Sequence, residues 1–161
     1  MTINKISFRK SLALKLHRIY RKNECKIHQL NYILWECTLR CNLGCIHCGS
    51  DCKKISSVKD MPAEDFFKAI DQIKPIVNPN KTMIVLTGGE ALLRKDIENI
   101  GIKLYNQGFP WGIVTNGMLL NNHQLSSLMN SGLRAVTVSL DGLEASHNWL
   151  RVNKSSFEKA L

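Results

Sequence analysis

The sequence of 161 residues contains no apolar run that approaches the ~20 residues needed to cross a bilayer, so it predicts no membrane span. It has only 10 glycines and 4 prolines, which excludes a collagen-like chain, and its 44% hydrophobic content excludes a disordered one. The first twenty residues contain neither a continuous apolar segment nor a small-residue cleavage site, so we expect no secretory signal and a cytoplasmic location. These absences leave a globular domain with enough apolar residues for a core.

Acidic residues are scarce relative to basic ones: there are 13 Asp and Glu against 22 Lys and Arg, and the formal net charge is +9. Residues 1–24 contain seven Lys and Arg and a single Glu, so +6 of this charge lies in that segment. Apolar residues recur in the same segment at helical spacing. This spacing predicts an amphipathic helix over residues 8–22 with a basic face.

Three interpretations of this basic helix stay open. It can cover the domain that follows, it can lie on an anionic membrane surface, or it can bind a nucleic acid or an acidic peptide. We take the first as the default. No set of aromatic stacking residues and no recognition motif lies nearby, which disfavours nucleic acid as a partner.

Strands and helices alternate in the rest of the chain. Apolar runs predict strands at residues 31–36, 82–87, 112–115 and 135–140, with helices between them at 62–75, 95–107 and 122–131. A capping box of Ser155 and Glu158 predicts the start of one more helix. The alternation predicts an α/β fold with parallel strands, closed as a partial (β/α) barrel. We expect two domains: a basic helix and linker over 1–30, and a barrel core over 31–161 that is truncated at its C-terminal end.

Five of the six cysteines fall within sixteen residues, which in a cytosolic chain points to metal binding or catalysis. Cys41, Cys45 and Cys48 have the spacing C-x3-C-x2-C. Three thiolates on one tight loop can hold three irons of a [4Fe–4S] cluster and leave the fourth iron open. An open coordination position is typical of catalytic rather than structural metal sites.

The alternative is a zinc site built from the same three cysteines with Cys52 or His47 as the fourth ligand. Zinc modules usually pair two short ligand elements across a longer gap, which disfavours this interpretation. The cysteine-rich segment of residues 37–54 is called the cysteine loop. We expect Cys37 and Cys52 to pack beside the three ligands without closing the metal site, and Cys25 to be a buried thiol outside the loop.

Polar and glycine motifs follow each of the later predicted strands: Gly88-Gly89-Glu90, Asn116-Gly117 and Ser139-Leu140-Asp141-Gly142. In parallel α/β folds, functional groups gather at the carboxyl ends of the strands. Together with the cysteine loop, these motifs resemble the radical S-adenosylmethionine (SAM) superfamily. The segment from Ser139 to Arg151 resembles the peptide- and protein-modifying branch that usually carries a C-terminal SPASM extension. Val152 stands where that branch commonly has glycine.

The resemblance implies that Cys41, Cys45 and Cys48 ligate the cluster and that SAM is bound by His47, Gly88, Gly89, Glu90, Ser139, Asp141 and Arg151. Backbone at the two glycines would approach the methionine ammonium closely, and Glu90 would supply negative charge beside it.

Four further SAM contacts are implied by the same resemblance. His47 would lie against the adenine, and Ser139 and Asp141 would bond the ribose hydroxyls. Arg151 would form a bidentate ion pair with the methionine carboxylate. Asn116-Gly117 is expected to be an ordinary turn, and His147 is expected to order its loop.

The implied function is an oxidoreductase-type radical SAM enzyme. It would cleave SAM reductively to a 5′-deoxyadenosyl radical, with an electron donor such as flavodoxin or ferredoxin, and would modify a peptide or protein. A nucleic-acid substrate is disfavoured because the chain beyond residue 24 carries a net charge of only +3. The alternatives are a zinc- or cluster-binding module and a non-catalytic SAM-binding relative. The superfamily core typically has six strand–helix units against four here, so we expect the isolated chain to be inactive.

Overall fold

A computed structural model describes residues 7–161. The chain divides into two compact units, with the boundary in the sequence between residues 30 and 31. The first unit is dominated by helix α1, Phe8–Ile27, which is five residues longer than predicted. Ser7 caps its start by accepting a hydrogen bond from the Lys10 amide, and His28 ends it in the left-handed conformation. No residue of α1 is buried.

The second unit is a four-stranded parallel sheet in the order β1-β2-β3-β4 with helices between the strands. The strands are β1 (Tyr32–Thr38), β2 (Met83–Gly88), β3 (Trp111–Thr115) and β4 (Leu133–Val138). The helices are α2 (Ala63–Ile73), α3 (Ile97–Asn106), α4 (Asn122–Asn130), α5 (Glu144–Arg151) and α6 (Ser156–Ala160). This architecture confirms the predicted fold class, a partial α/β barrel with parallel strands.

One core holds the sheet and its helices together. Its fully buried members come from alternate positions of the strands and from the inner faces of α2, α3 and α4, among them Phe67, Ile70, Ile84, Leu86, Leu104, Ile113 and Leu128. Trp111 packs against Gly101 of α3, where a Cβ atom would overlap the indole ring. Its indole N–H donates to the Ser131 carbonyl at 3.1 Å, so the largest buried side chain leaves no polar atom unsatisfied.

Two local predictions differ from the structure. Helix α5 was not predicted, because its segment has no apolar stripe and its one buried residue is His147. Ser155 does precede α6, but its side chain caps nothing: the hydroxyl bonds to Asn153 Oδ1 instead. Within residues 7–161, no helix combines the length and the apolar character that crossing a membrane would require.

Candidate functional site at the carboxyl ends of the strands

A pocket of about 250 Å³ lies where the carboxyl ends of the strands meet the cysteine loop. It is lined by Cys41, Cys45, His47, Cys48, Gly49, Ser50, Cys52, Gly88, Gly89, Val114, Thr115, Asn116, Ser139 and Arg151. A larger cavity of about 560 Å³ lies near the starts of β2, β3 and β4, at the opposite edge of the sheet. The chemistry-bearing motifs therefore converge on the smaller pocket, as parallel strand direction requires.

The cysteine loop leaves β1 and is fixed to the rest of the domain by backbone hydrogen bonds. The Cys41 amide donates to the Lys53 carbonyl at 2.8 Å, which closes the base of the loop. The Ile46 amide donates to the Leu150 carbonyl of α5 at 2.9 Å. Cys41 is buried, Cys45 is half-buried and Cys48 is exposed, and all three line the pocket.

N–H groups point at the sulfur of each of these three cysteines. Cys41 Sγ accepts from the Leu43 amide at 3.5 Å and from the Asn116 side chain at 3.8 Å. Cys48 Sγ accepts from the Cys52 amide at 3.4 Å. Cys45 Sγ lies 3.8 Å from Nη1 of Arg151. These donors would stabilise negative charge on a ligating sulfur, whereas burial raises the pKa of the Cys41 thiol.

Gly88 and Gly89 allow the end of β2 to pack directly on the start of the cysteine loop. Gly88 has φ of +113°, and a Cβ atom there would overlap the carbonyl oxygen of Thr38. A Cβ at Gly89 would overlap the carbonyl oxygen of Arg40. The amides of Gly89 and Glu90 donate to these two carbonyls at 2.8 and 2.9 Å. The close approach of two strand ends is therefore one physical reason for the glycine pair, whatever else the pair contacts.

Glu90 differs from its prediction, because its carboxylate is fully buried and does not line the pocket. It accepts hydrogen bonds from Thr115 Oγ1 and the Asn116 amide, both at 2.8 Å, and from the Leu92 amide at 3.2 Å. Burial raises the pKa of the Glu90 carboxyl, and these three donors oppose that shift. The side chain ties β2 to the end of β3.

Ser139 and Arg151 line the pocket, whereas the Asp141 carboxylate does not. Asp141 accepts from Arg151 Nε at 2.6 Å, and this guanidinium lowers the pKa of the Asp141 carboxyl. The Asp141 amide donates to Nδ1 of His147 at 3.1 Å, so the buried His147 orders this turn. Val152, in the left-handed region with φ of +52°, occupies a conformation that suits glycine better.

Three further residues complete the comparison with prediction. Asn116, expected to be part of an ordinary turn, lines the pocket and is 5% exposed. His47 also lines the pocket, with Nε2 3.7 Å from Asp141 Oδ1. The prediction that Cys25 is buried is wrong: it is exposed, because α1 buries none of its residues. Cys37 and Cys52 are both buried, as expected.

The donor set fits an iron–sulfur cluster. Cys41, Cys45 and Cys48 line one pocket and supply three thiols, the ligand type that such clusters take.

Comparison with known proteins agrees with this chemistry. Residues 35–161 match the sequence pattern described as the radical SAM superfamily. The chain is 33% identical over 129 residues to Fe-coproporphyrin III synthase of Methanosarcina barkeri, covering 80% of this chain and 32% of that protein. It is 33% identical over 121 residues to GTP 3′,8-cyclase of Campylobacter jejuni subsp. doylei, covering 72% and 36%. The chain thus spans about a third of the length of these relatives.

Solved structures share the fold at lower identity. Streptococcus suis SuiB bound to precursor peptide SuiA superposes with a TM-score of 0.62 at 20% identity, over 98% of this chain and 36% of that one. Native anSMEcpe with bound AdoMet also gives a TM-score of 0.62 at 20% identity, over 80% of this chain and 38% of that one.

Proposed function

The chain belongs to the radical SAM superfamily, and on that basis we propose that it forms the cluster- and SAM-binding part of a radical SAM enzyme. The cofactors of this superfamily are a [4Fe–4S] cluster and SAM, in agreement with the expectation from the cysteine spacing. When bound, they supply one-electron cleavage of SAM and hydrogen abstraction from a substrate. The protein's contribution is to bind, orient and shield them.

The observation that carries this proposal is the convergence of the three C-x3-C-x2-C thiols with residues from three other strand ends on one pocket. Cys41, Cys45 and Cys48 would hold the cluster, since iron–sulfur clusters take thiolate ligands. A zinc module is disfavoured because zinc sites usually pair two short ligand elements across a longer gap, whereas these three cysteines lie within eight residues.

For SAM, we keep the predicted contacts that line the pocket and revise two others. Ser139, His47 and the glycine pair line the pocket and would meet the ligand directly. Arg151 is oriented by Asp141, so the Asp141 carboxylate acts through that arginine rather than on the ribose. Glu90 likewise contributes by holding the end of β3 rather than by facing the ammonium group.

The test is anaerobic reconstitution with iron and sulfide, followed by metal analysis and EPR of the reduced protein with and without SAM. We expect about four irons per chain and a cluster signal that shifts when SAM is added. Cys45→Ala should lose the signal. Cys25→Ala is the matched control, because Cys25 is an exposed cysteine on α1 that does not line the pocket, and it should retain the signal.

Bound zinc without a cluster signal would overturn the proposal in favour of a zinc module. A cluster signal that ignores SAM would instead identify a cluster-binding relative that has lost the cofactor pocket. Retention of the cluster in all three single variants of Cys41, Cys45 and Cys48 would place the ligands elsewhere and contradict the site assignment.

For the substrate, we propose a peptide or protein, supported by the resemblance of the segment from Ser139 to Arg151 to peptide-modifying radical SAM enzymes. A tetrapyrrole is the second candidate, favoured by 33% identity to Fe-coproporphyrin III synthase. Single-turnover reactions with SAM, a flavodoxin reducing system and either a deuterated proteome digest or a deuterated porphyrin precursor of iron coproporphyrin III distinguish them. Deuterium in 5′-deoxyadenosine from the digest alone supports a peptide, and deuterium from the porphyrin alone refutes it.

A further inference from the structure

Two of the N–H groups that point at the cluster cysteines come from side chains that lie far away in sequence. Resting on the proposed cluster site, we propose that Asn116 and Arg151 are positioning residues that raise the reduction potential of the cluster by donating hydrogen bonds to the sulfurs of Cys41 and Cys45. The Leu43 and Cys52 amides that reach Cys41 and Cys48 belong to the loop itself. The two side-chain donors are therefore the part of this hydrogen bonding that substitution can alter.

The orientation of the Asn116 amide is fixed by its own hydrogen bonds. Its Oδ1 accepts from the Met118 amide at 3.0 Å, so Oδ1 is directed away from the cysteine loop and Nδ2 is directed toward it. Nδ2 then donates to Asn42 Oδ1 at 2.7 Å and lies 3.8 Å from Cys41 Sγ. With the side chain buried, water cannot readily replace either contact.

Glu90 holds the backbone that carries this amide. Its Oε2 accepts from the Asn116 amide at 2.8 Å, and its Oε1 accepts from the Thr115 hydroxyl at 2.8 Å. The Thr115 hydroxyl in turn accepts from the Gly117 amide at 3.1 Å. A buried carboxylate two residues after β2 therefore fixes three consecutive residues at the end of β3 and directs the Asn116 amide group at Cys41.

Arg151 makes the corresponding contact at Cys45. Its Nε donates to Asp141 Oδ2 at 2.6 Å, and Nη1 lies 3.8 Å from Cys45 Sγ. The arginine side chain is 13% exposed and the Asp141 side chain 23% exposed, so the pair is partly shielded from solvent. A fixed cation is thus held beside one sulfur and a neutral N–H donor beside another.

Both contacts act in the same direction on a cluster that gains an electron. Reduction adds negative charge that is shared by the thiolate sulfurs, and N–H donors or a cation beside them stabilise that charge. Removing a donor should therefore make the cluster harder to reduce. A residue that acted only on SAM would not affect the potential of the SAM-free cluster, so the measurement without SAM isolates the contact with sulfur.

The experiment is an EPR-monitored potentiometric titration of the reconstituted chain in the absence of SAM. Asn116→Asp replaces the N–H donor by a carboxylate oxygen at nearly constant shape, so the lost donor and the added negative charge both disfavour reduction, and Arg151→Gln removes the cation. For each we expect about a tenfold lower ratio of reduced to oxidised cluster at a fixed potential, which is a shift of about 59 mV to more negative values for one electron. Arg151→Lys, which keeps the charge and an N–H donor, should recover part of the loss.

The matched control is Asn106→Asp, which makes the same replacement at the exposed end of α3 and should leave the potential unchanged. If Asn116→Asp does not fold, the Arg151→Gln and Arg151→Lys pair decides the question. Unchanged potentials in variants that contain the full complement of iron and sulfide would overturn this inference and leave the proposed cluster site intact. Absence of a cluster from the wild-type chain would overturn the proposed function itself.

Discussion

Replacing Glu90 tests whether the stability of the pocket depends on a buried carboxylate. Glu90 is 0% exposed and accepts three hydrogen bonds, from the Thr115 hydroxyl and the Asn116 and Leu92 amides. Glu90→Ala removes both acceptor oxygens and leaves these three donors without their partner. A buried donor left without a partner costs about 1–3 kcal/mol, and water that enters the new cavity recovers part of that. We expect the free energy of unfolding to fall by roughly 3–5 kcal/mol, at the upper end for single substitutions.

Glu90→Gln is the milder change, since it keeps one carbonyl oxygen but presents an NH₂ group to a neighbouring donor. We expect it to cost about 1–2 kcal/mol. The assay is urea unfolding of the metal-free chain under reducing conditions, followed by circular dichroism. Glu158→Ala, at an exposed position on α6, is the control and should change stability by less than about 0.5 kcal/mol. Equal stabilities of the Glu90→Ala variant and wild type would refute the argument.

The pH dependence of the same variants provides a second test. Because burial raises the pKa of Glu90 above its ordinary value of 4.5, the folded chain holds this proton at pH values where the unfolded chain has lost it. The stabilisation from the protonated carboxyl is therefore complete below about 4.5 and declines as the pH rises through the folded-state pKa. The stability of wild type relative to Glu90→Gln should fall over that range, and a difference that increases with pH would contradict the assignment.

Two further predictions concern cysteine reactivity and helix α1. Burial raises the pKa of Cys37 to about 12, whereas Cys25 is exposed. Iodoacetamide at pH 8 should therefore modify Cys25 in the native chain and modify Cys37 only after urea unfolds it. Equal modification rates of Cys25 and Cys37 in the native chain would show that Cys37 is accessible. If α1 lies on anionic membranes, the chain should sediment with vesicles that contain phosphatidylserine at low salt. The double variant Arg18→Glu with Arg21→Glu should abolish this sedimentation. Equal binding to neutral vesicles would refute an electrostatic contact.

The cysteine loop and the strand pattern could be predicted from the sequence because both depend on neighbours along the chain. The spacing of Cys41, Cys45 and Cys48 is covalent, and three thiols so close together favour a metal cluster whatever the rest of the chain does. Apolar runs that alternate with helical segments determine a parallel sheet, and parallel strands bring their carboxyl ends to one edge. The pocket at that edge was predictable for these reasons.

The contacts of particular side chains could not be predicted in the same way. Glu90 follows two glycines at a strand end, and nothing local distinguishes a carboxylate that faces the pocket from one that turns inward to a neighbouring strand. The same holds for Asn116, whose Asn-Gly sequence is typical of any turn. Cys25 was misjudged because a cysteine is usually buried, whereas the helix that carries it buries no residue.

What the sequence by itself determined is thus the ligand loop, the order of strands and helices, and the edge of the sheet where the chemistry lies. Only the tertiary structure decided that Glu90 faces the end of β3, that the Asn116 amide is directed at Cys41, and that Asp141 holds Arg151 beside Cys45. Asn116 and Arg151 lie 75 and 106 residues from the cysteines they approach. Contacts over such separations depend on strand pairing and helix packing, which local spacing does not specify.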